Sequence, residues 1–283
     1  MKKKILIPTD FSKNAWNALT YAADLFKHEE CSFIVLNTYR TKGYNLGDLM
    51  VPEPGTPSYE SAKTASEKHM DKLVSMIEFR DTNPKHEYEI ITKFGGLMEV
   101  MEAIIEQRDI ELVVMGTKGA SNSRGALFGT STILAMEKLR NCPVMGVPLD
   151  VRVASLKEIV MPTGYKTHYK RKELSNLTTI ANLQDANICV LYVNPDEELS
   201  KQQEANKELL AECLEDASFS FHHLSGVDAT IGVRNFVESR DSDMVAIINR
   251  KHAFFGSVFT TPMIKELGMF SKVPLLVMHD LRN

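Results

Sequence analysis

The chain has 283 residues, enough for one large or two ordinary domains with substantial cores. Apolar residues make up 43% and charged residues 25%, which excludes a disordered or fibrous chain. The net charge is −4, with 18 basic and 20 acidic residues up to Asp150, so neither half has the basic excess that non-specific nucleic-acid binding needs.

Taken in order, the predicted elements alternate between strand and helix. Residues 5–8 read as a short buried strand behind a lysine-rich start. The apolar run stops at Pro8-Thr9-Asp10, too short for the apolar segment of a signal peptide. Ala15, Leu19, Ala22 and Phe26 share one helical face, with Ser12 as N-cap. Residues 33–36 form a second strand. Residues 41–58, rich in Gly, Pro and polar side chains, read as a long surface loop. A long helix through Ala62, Ala65, His69, Leu73 and Met76 or Ile77 leads to a weak strand at 88–91. Leu97, Val100, Met101, Ile104 and Ile105 mark a third helix. A strand at 112–115, a helix at 133–139 and a strand at 144–147 complete the unit. No stretch approaches the roughly 18 apolar residues of a membrane span, and a cytoplasmic protein is expected.

The same unit then returns. Lys4-Ile5-Leu6-Ile7-Pro8-Thr9-Asp10 reappears as Glu158-Ile159-Val160-Met161-Pro162-Thr163-Gly164, at an offset of 154. Cys142-Pro143-Val144-Met145 reappears as Val273-Pro274-Leu275-Leu276, at an offset of 131. The second copy is therefore about 23 residues shorter, and the loss falls between its second and third strands. Strand–helix alternation with apolar strands predicts an α/β fold of two tandem five-stranded parallel-sheet sandwiches. Ligands of such sheets sit at the carboxyl ends of the strands where strand order reverses, just after Pro8, Leu36 and Met115.

The stretch with chemistry is Met115-Gly116-Thr117-Lys118-Gly119, nine residues, then Gly129-Thr130-Ser131. It follows a strand and opens a helix. Gly116 and Gly119 let backbone approach an anion and adopt positive φ. Gly129, Thr130 and Ser131 offer backbone N–H groups and hydroxyls at a helix N-terminus, where the dipole favours negative charge. Lys118 and Arg124 add mobile positive charge. No Walker-type lysine motif is present.

This G-x2-G-x9-G-[ST] pattern, with a first strand ending in Pro-Thr-Asp, resembles the universal stress protein family, and its tandem members in particular. The resemblance implies an adenine-nucleotide pocket in residues 1–150, holding ATP, with Mg²⁺ to compensate its charge. Pro8, Thr9 and Asp10 would meet adenine and ribose, with Asp10 on ribose or on a metal-bound water. Thr38, just past the second strand, would pack on adenine with Met115 behind the base. Gly116, Lys118, Gly119, Arg124, Gly129, Thr130 and Ser131 would meet the phosphates. The implied role is a nucleotide-responsive stress module; a slow ATPase and a nucleotide-independent scaffold are the alternatives, and no general base can be named. Family dimers pair the fifth strands of their Rossmann-like sandwiches, so 144–147 should pair with 275–278 within one chain as a pseudo-twofold molecule, and a homodimer of such chains is a further option.

The second domain, 155–283, lacks the glycine motif. Gly164 stands where Asp10 stood, and Phe259-Thr260-Thr261-Pro262 replaces Phe128-Gly129-Thr130-Ser131. No tight nucleotide site is expected there, and Arg250, Lys251 and His252 read as a solvated loop. The eight histidines form no metal pattern, and Cys31, Cys142, Cys189 and Cys213 read as buried free thiols.

Overall fold

Apolar strands leave both faces of a sheet needing cover, and the helices between them supply it. The computed structural model describes residues 2–41, 54–117, 129–153, 156–194, 198–250 and 272–279. Its first half runs β1 (Lys3–Pro8), α1 (Lys13–Leu25), β2 (Cys31–Tyr39), α2 (Pro57–Arg80), β3 (His86–Phe94), α3 (Leu97–Arg108), β4 (Leu112–Gly116), α4 (Thr130–Lys138) and β5 (Val144–Val147). The second half runs β6 (Glu158–Thr163), α5 (Arg171–Gln184), β7 (Asn187–Val193), α6 (Lys201–Cys213), β8 (Phe219–Leu224), α7 (Ala229–Arg240), β9 (Met244–Asn249) and β10 (Leu275–His279).

Successive strand residues point to opposite faces, which sorts the core into two layers. Ile5, Ile7, Phe33 and Val35 meet Ala18 and Ala22 of α1 and Leu73 of α2. Leu6, Ile34 and Leu36 meet Met101 and Ile104 of α3 and Ala135 and Met136 of α4. Both layers continue into the second half, where Ile188 and Val190 take one face and Cys189 and Leu191 the other.

All described strands join one sheet in the order β3-β2-β1-β4-β5-β10-β9-β6-β7-β8. Neighbours are parallel except at the centre, where β5 and β10 run antiparallel with Met145 opposite Leu276. The expected pairing of the two fifth strands is present. Helices reinforce the seam. Gln184 donates its side-chain amide to the Leu25 carbonyl at 2.9 Å, and Asn176 to the Glu111 carbonyl at 3.1 Å.

Local sequence explains several helix ends. Ser12 caps α1, accepting from the Ala15 N–H at 3.1 Å. Ser200 and Gln203 form a reciprocal capping box on α6. Asp109, Asp185 and Asp241 end α3, α5 and α7 in left-handed conformation, which a short polar side chain tolerates. α2 has 24 residues and α6 has 13, so much of the missing length comes from this helix. The weak third strand is nine residues long. Of the long loop, residues 42–53 lie outside the described residues, and α2 already begins at Pro57.

Candidate functional site at the first switch point

Strand order reverses beside β1, which pairs with β2 on one side and β4 on the other. The carboxyl ends of these three strands bring Pro8, Leu36 and Met115 to one edge of the sheet, the place where ligands of such sheets bind.

The turn after β1 is built by side chains bonding to nearby backbone. The Thr9 N–H donates to the Leu36 carbonyl at 2.8 Å, extending the β1–β2 ladder by one residue. The Thr9 hydroxyl accepts from the Phe11 N–H at 3.0 Å, and Phe11 takes a φ of 62°. Such a φ is strained for a bulky residue and needs surrounding contacts to hold it. Asp10 is exposed and accepts from the Ser12 N–H at 3.0 Å through one carboxylate oxygen. It therefore shapes the entry to α1 while keeping its carboxylate at the surface.

Asn37 fixes this turn from beneath, a role not evident from motif spacing. It is buried, donates to the Thr9 carbonyl at 2.7 Å and accepts from the Ser66 hydroxyl at 2.6 Å. The turn is thereby tied to the middle of α2. The sequence signal was a polar residue directly behind the apolar run 33–36. Thr38 lies within β2 rather than past it, opposite Lys93 and half-buried. The strand runs three residues beyond its apolar core because β3 continues alongside it.

Gly116 ends β4, and its need for glycine has a different cause from the one expected. A Cβ there would lie 2.8 Å from the backbone carbon and oxygen of Asn14. The absent side chain allows α1 to sit on the strand end. Positive φ is not involved: among the described glycines only Gly55, Gly95 and Gly226 have it. Met115 is buried beneath the same edge.

Two threonines bracket the loop between β4 and α4. Buried Thr117 donates its N–H to the Val147 carbonyl at 3.0 Å, and its hydroxyl lies 3.4 Å from the Asn14 amide oxygen. The Thr132 hydroxyl donates to the Gly116 carbonyl at 2.8 Å, which pins the first turn of α4 to the end of β4. The Gly129 N–H donates to the Thr117 carbonyl, so that amide closes the loop instead of facing a ligand. Thr130 and Ser131 follow, both exposed in the first turn of α4, where backbone N–H groups have no partner within the helix. Lys118, Gly119 and Arg124 lie outside the described residues.

The second half repeats the turn, with Tyr165 at the position of Phe11 and more deeply buried. The Thr163 hydroxyl accepts from the Tyr165 N–H at 3.2 Å, and Tyr165 takes a φ of 53°. Tyr165 is only 1% exposed, and its ring centroid lies 5.4 Å from that of Tyr192. Tyr192 occupies the register position that Asn37 holds in the first half. Burial pushes the Tyr165 phenol well above the ordinary range for tyrosine. Arg250 does not lie in a solvated loop. It directly follows β9, in an ion pair with Glu173 of α5 at 3.3 Å, and sits 5.4 Å from the Tyr169 ring centroid. Lys251 and His252 lie outside the described residues. Among the described residues, the cleft at the ends of β6 and β9 has a volume of only about 40 Å³.

The family model described as "Universal stress protein family" matches residues 1–148. The chain belongs to the universal stress protein family. A search of curated proteins finds no match. Among solved structures, a universal stress protein from Archaeoglobus fulgidus DSM 4304 is 16% identical, with 97% of each chain covered and a TM-score of 0.69. A functionally unknown protein from Pseudomonas aeruginosa PAO1 is 12% identical over 98% of this chain and 92% of its own, with a TM-score of 0.60. At these identities the likeness is one of fold, and it extends across both halves. Among the described residues, no helix is long and apolar enough to cross a membrane, and no three His, Cys, Asp or Glu side chains gather as a metal site.

Proposed function

We propose that this universal stress protein binds an adenine nucleotide, ATP with Mg²⁺, in its first half and acts as a sensor or regulatory module in a stress response. In this reading residues 1–150 form the ligand-bearing domain and residues 155–283 a degenerate one. Pro8, Thr9 and Asp10 meet adenine and ribose, and Thr38 and Met115 flank the base. Gly116, Lys118, Gly119, Arg124, Gly129, Thr130 and Ser131 surround the phosphates. Mg²⁺ would offset the triphosphate charge, with the exposed Asp10 carboxylate the nearest candidate to orient its waters.

The observation that carries this reading is the mouth of α4. Thr132 and Gly129 fasten that helix to the end of β4, and Thr130 and Ser131 present first-turn N–H groups and hydroxyls at the switch point. That is the chemistry a polyphosphate requires, without a dedicated lysine motif. The second half supports the asymmetry, because Tyr192 stands where Asn37 does in the first half and Arg250 pairs with Glu173 at the corresponding strand ends.

Calorimetric titration with Mg·ATP, together with mass spectrometry of ligand released from freshly purified protein, tests the proposal. One adenine nucleotide per chain is expected, with affinity lowered at least tenfold by Gly119→Val. Absence of binding leaves the nucleotide-independent scaffold. Steady-state phosphate release above a contaminant control, abolished by the same variant, would establish the slow ATPase instead.

A further inference from the structure

The one tryptophan of the chain, Trp16, marks a separate surface. It is half-buried on α1 and lines a groove of about 420 Å³ between that helix, the end of α2 and the start of the connection between the two halves. This volume falls in the range of small-molecule sites. None of the residues assigned to the nucleotide lines it.

The lining has two chemical parts. Trp16 and Leu149 supply apolar surface, and Leu149 is 39% exposed. Lys13, Arg80 and Arg152 supply three cations against the Asp150 carboxylate in the lining and the Asp24 carboxylate that pairs with Arg80, in a chain whose net charge is −4. The local excess of positive charge is therefore a property of this groove and not of the whole surface.

The cations are not equivalent. Arg80 is held by both carboxylate oxygens of Asp24, at 3.0 and 2.9 Å, which offsets its charge. Arg152 is held differently. Its Nη1 donates to the Asn17 amide oxygen and to the carbonyls of Leu149 and Val151, at 3.0 and 2.9 Å for the two carbonyls. These neutral acceptors fix the guanidinium in place without cancelling its charge. Lys13 is exposed at the start of α1, where the helix dipole is already positive and the first turn holds no acidic residue. An anion placed between Arg152 and Lys13 would relieve both.

From this arrangement we infer that the Trp16 groove binds a small planar aromatic carboxylate. Its ring would lie against the Trp16 indole and Leu149, and its carboxylate would meet Arg152 and Lys13. A flat ring stacks on indole better than a flexible acyl chain does. A guanidinium whose position is already fixed suits a planar carboxylate.

The single tryptophan gives one indole N–H resonance, so a ¹⁵N–¹H spectrum of the full chain reports this groove directly. Titration with 2-naphthoate should shift that resonance to saturation, with a Kd at or below about 1 mM. The neutral analogue 2-naphthalenemethanol and the acyl carboxylate octanoate should each bind at least tenfold more weakly. Arg152→Gln should weaken naphthoate binding about tenfold, the size of one charge-assisted hydrogen bond. Because Arg152 also braces the connection between the halves, Lys13→Gln provides a second test on an exposed residue, with at least a threefold loss expected. Saturating ATP should leave the naphthoate affinity unchanged. The inference is overturned by an unshifted indole resonance, by equal binding of either analogue, by wild-type affinity in both variants, or by competition with ATP. Failure of ATP to bind would reject the nucleotide proposal and leave this one standing.

Discussion

Gly116 and Asn14 leave no room between them for a methyl group: a Cβ on Gly116 would stand 2.8 Å from the Asn14 backbone carbon and oxygen. The neighbouring atoms belong to the backbone of a helix and cannot swing aside. Gly116→Ala should therefore destabilise the protein by about 1–3 kcal/mol through forced separation of α1 from β4. Urea denaturation reads this directly. A variant as stable as the wild type would show that α1 shifts freely and that packing is not what requires this glycine.

Asn37 offers a test of the buried turn. Asn37→Leu keeps the approximate volume but leaves the Thr9 carbonyl and the Ser66 hydroxyl without their partner. A loss of about 2–4 kcal/mol is expected from two stranded buried groups. Ser66→Ala should cost less, about 1 kcal/mol, because Asn37 still holds Thr9. Equal losses for the two variants would reject this ordering.

Glu158 makes the stability depend on pH. Arg240 donates to this carboxylate through Nε at 3.0 Å, Ser242 through its hydroxyl at 2.6 Å, and together they hold it at about 2, from an ordinary 4.5. A carboxyl depressed by folding stabilises the native state above its unfolded value and loses that contribution as pH falls toward the folded one. After allowance for solvent screening the contribution is on the order of 1–2 kcal/mol. Glu158→Gln should lower stability by that amount at pH 7. The gap between variant and wild type should narrow from about pH 4.5 down to about pH 2. A gap that stays constant over this window would refute the assignment.

The thiols should be silent in the native protein. All four cysteines are buried and free. Burial raises the Cys31 and Cys142 thiols to about 12 and lifts Cys189 and Cys213 as well. Thiolate is the reactive form, so an aromatic disulfide reagent at pH 8 should label almost none of the native chain and all four cysteines after unfolding. Rapid native labelling would contradict the packing described.

Much of this architecture was legible in the residue pattern, because fully apolar strands and 3.6-residue spacing point to the same duplicated unit. Repeated apolar strings located β1 and β6, and Val144–Val147 met its partner as expected. The third strand was harder to see because β3 is an edge strand whose alternation carries charge: Glu87 and Glu89 interrupt the apolar pattern. At the candidate site, the sequence brought out the glycines but not the reason for them. Spacing does not reveal that the space beyond Gly116 belongs to Asn14, or that the Gly129 amide closes a loop. Asn37 and Thr132 were hidden for a related reason, since their importance lies in carbonyls that are distant along the chain. Arg250 was misjudged because its partner, Glu173, is supplied by a helix far from it in sequence.

The antiparallel seam between β5 and β10 has a consequence for how such a protein can diverge. Two separate subunits meeting there would have to carry identical mouths, and any substitution would strike both. Joining the copies in one polypeptide frees each to change alone, so Asn37 can hold a turn on one side where Tyr192 stands on the other. Covalent fusion thus lets a single polypeptide carry two different strand-end environments on one continuous sheet.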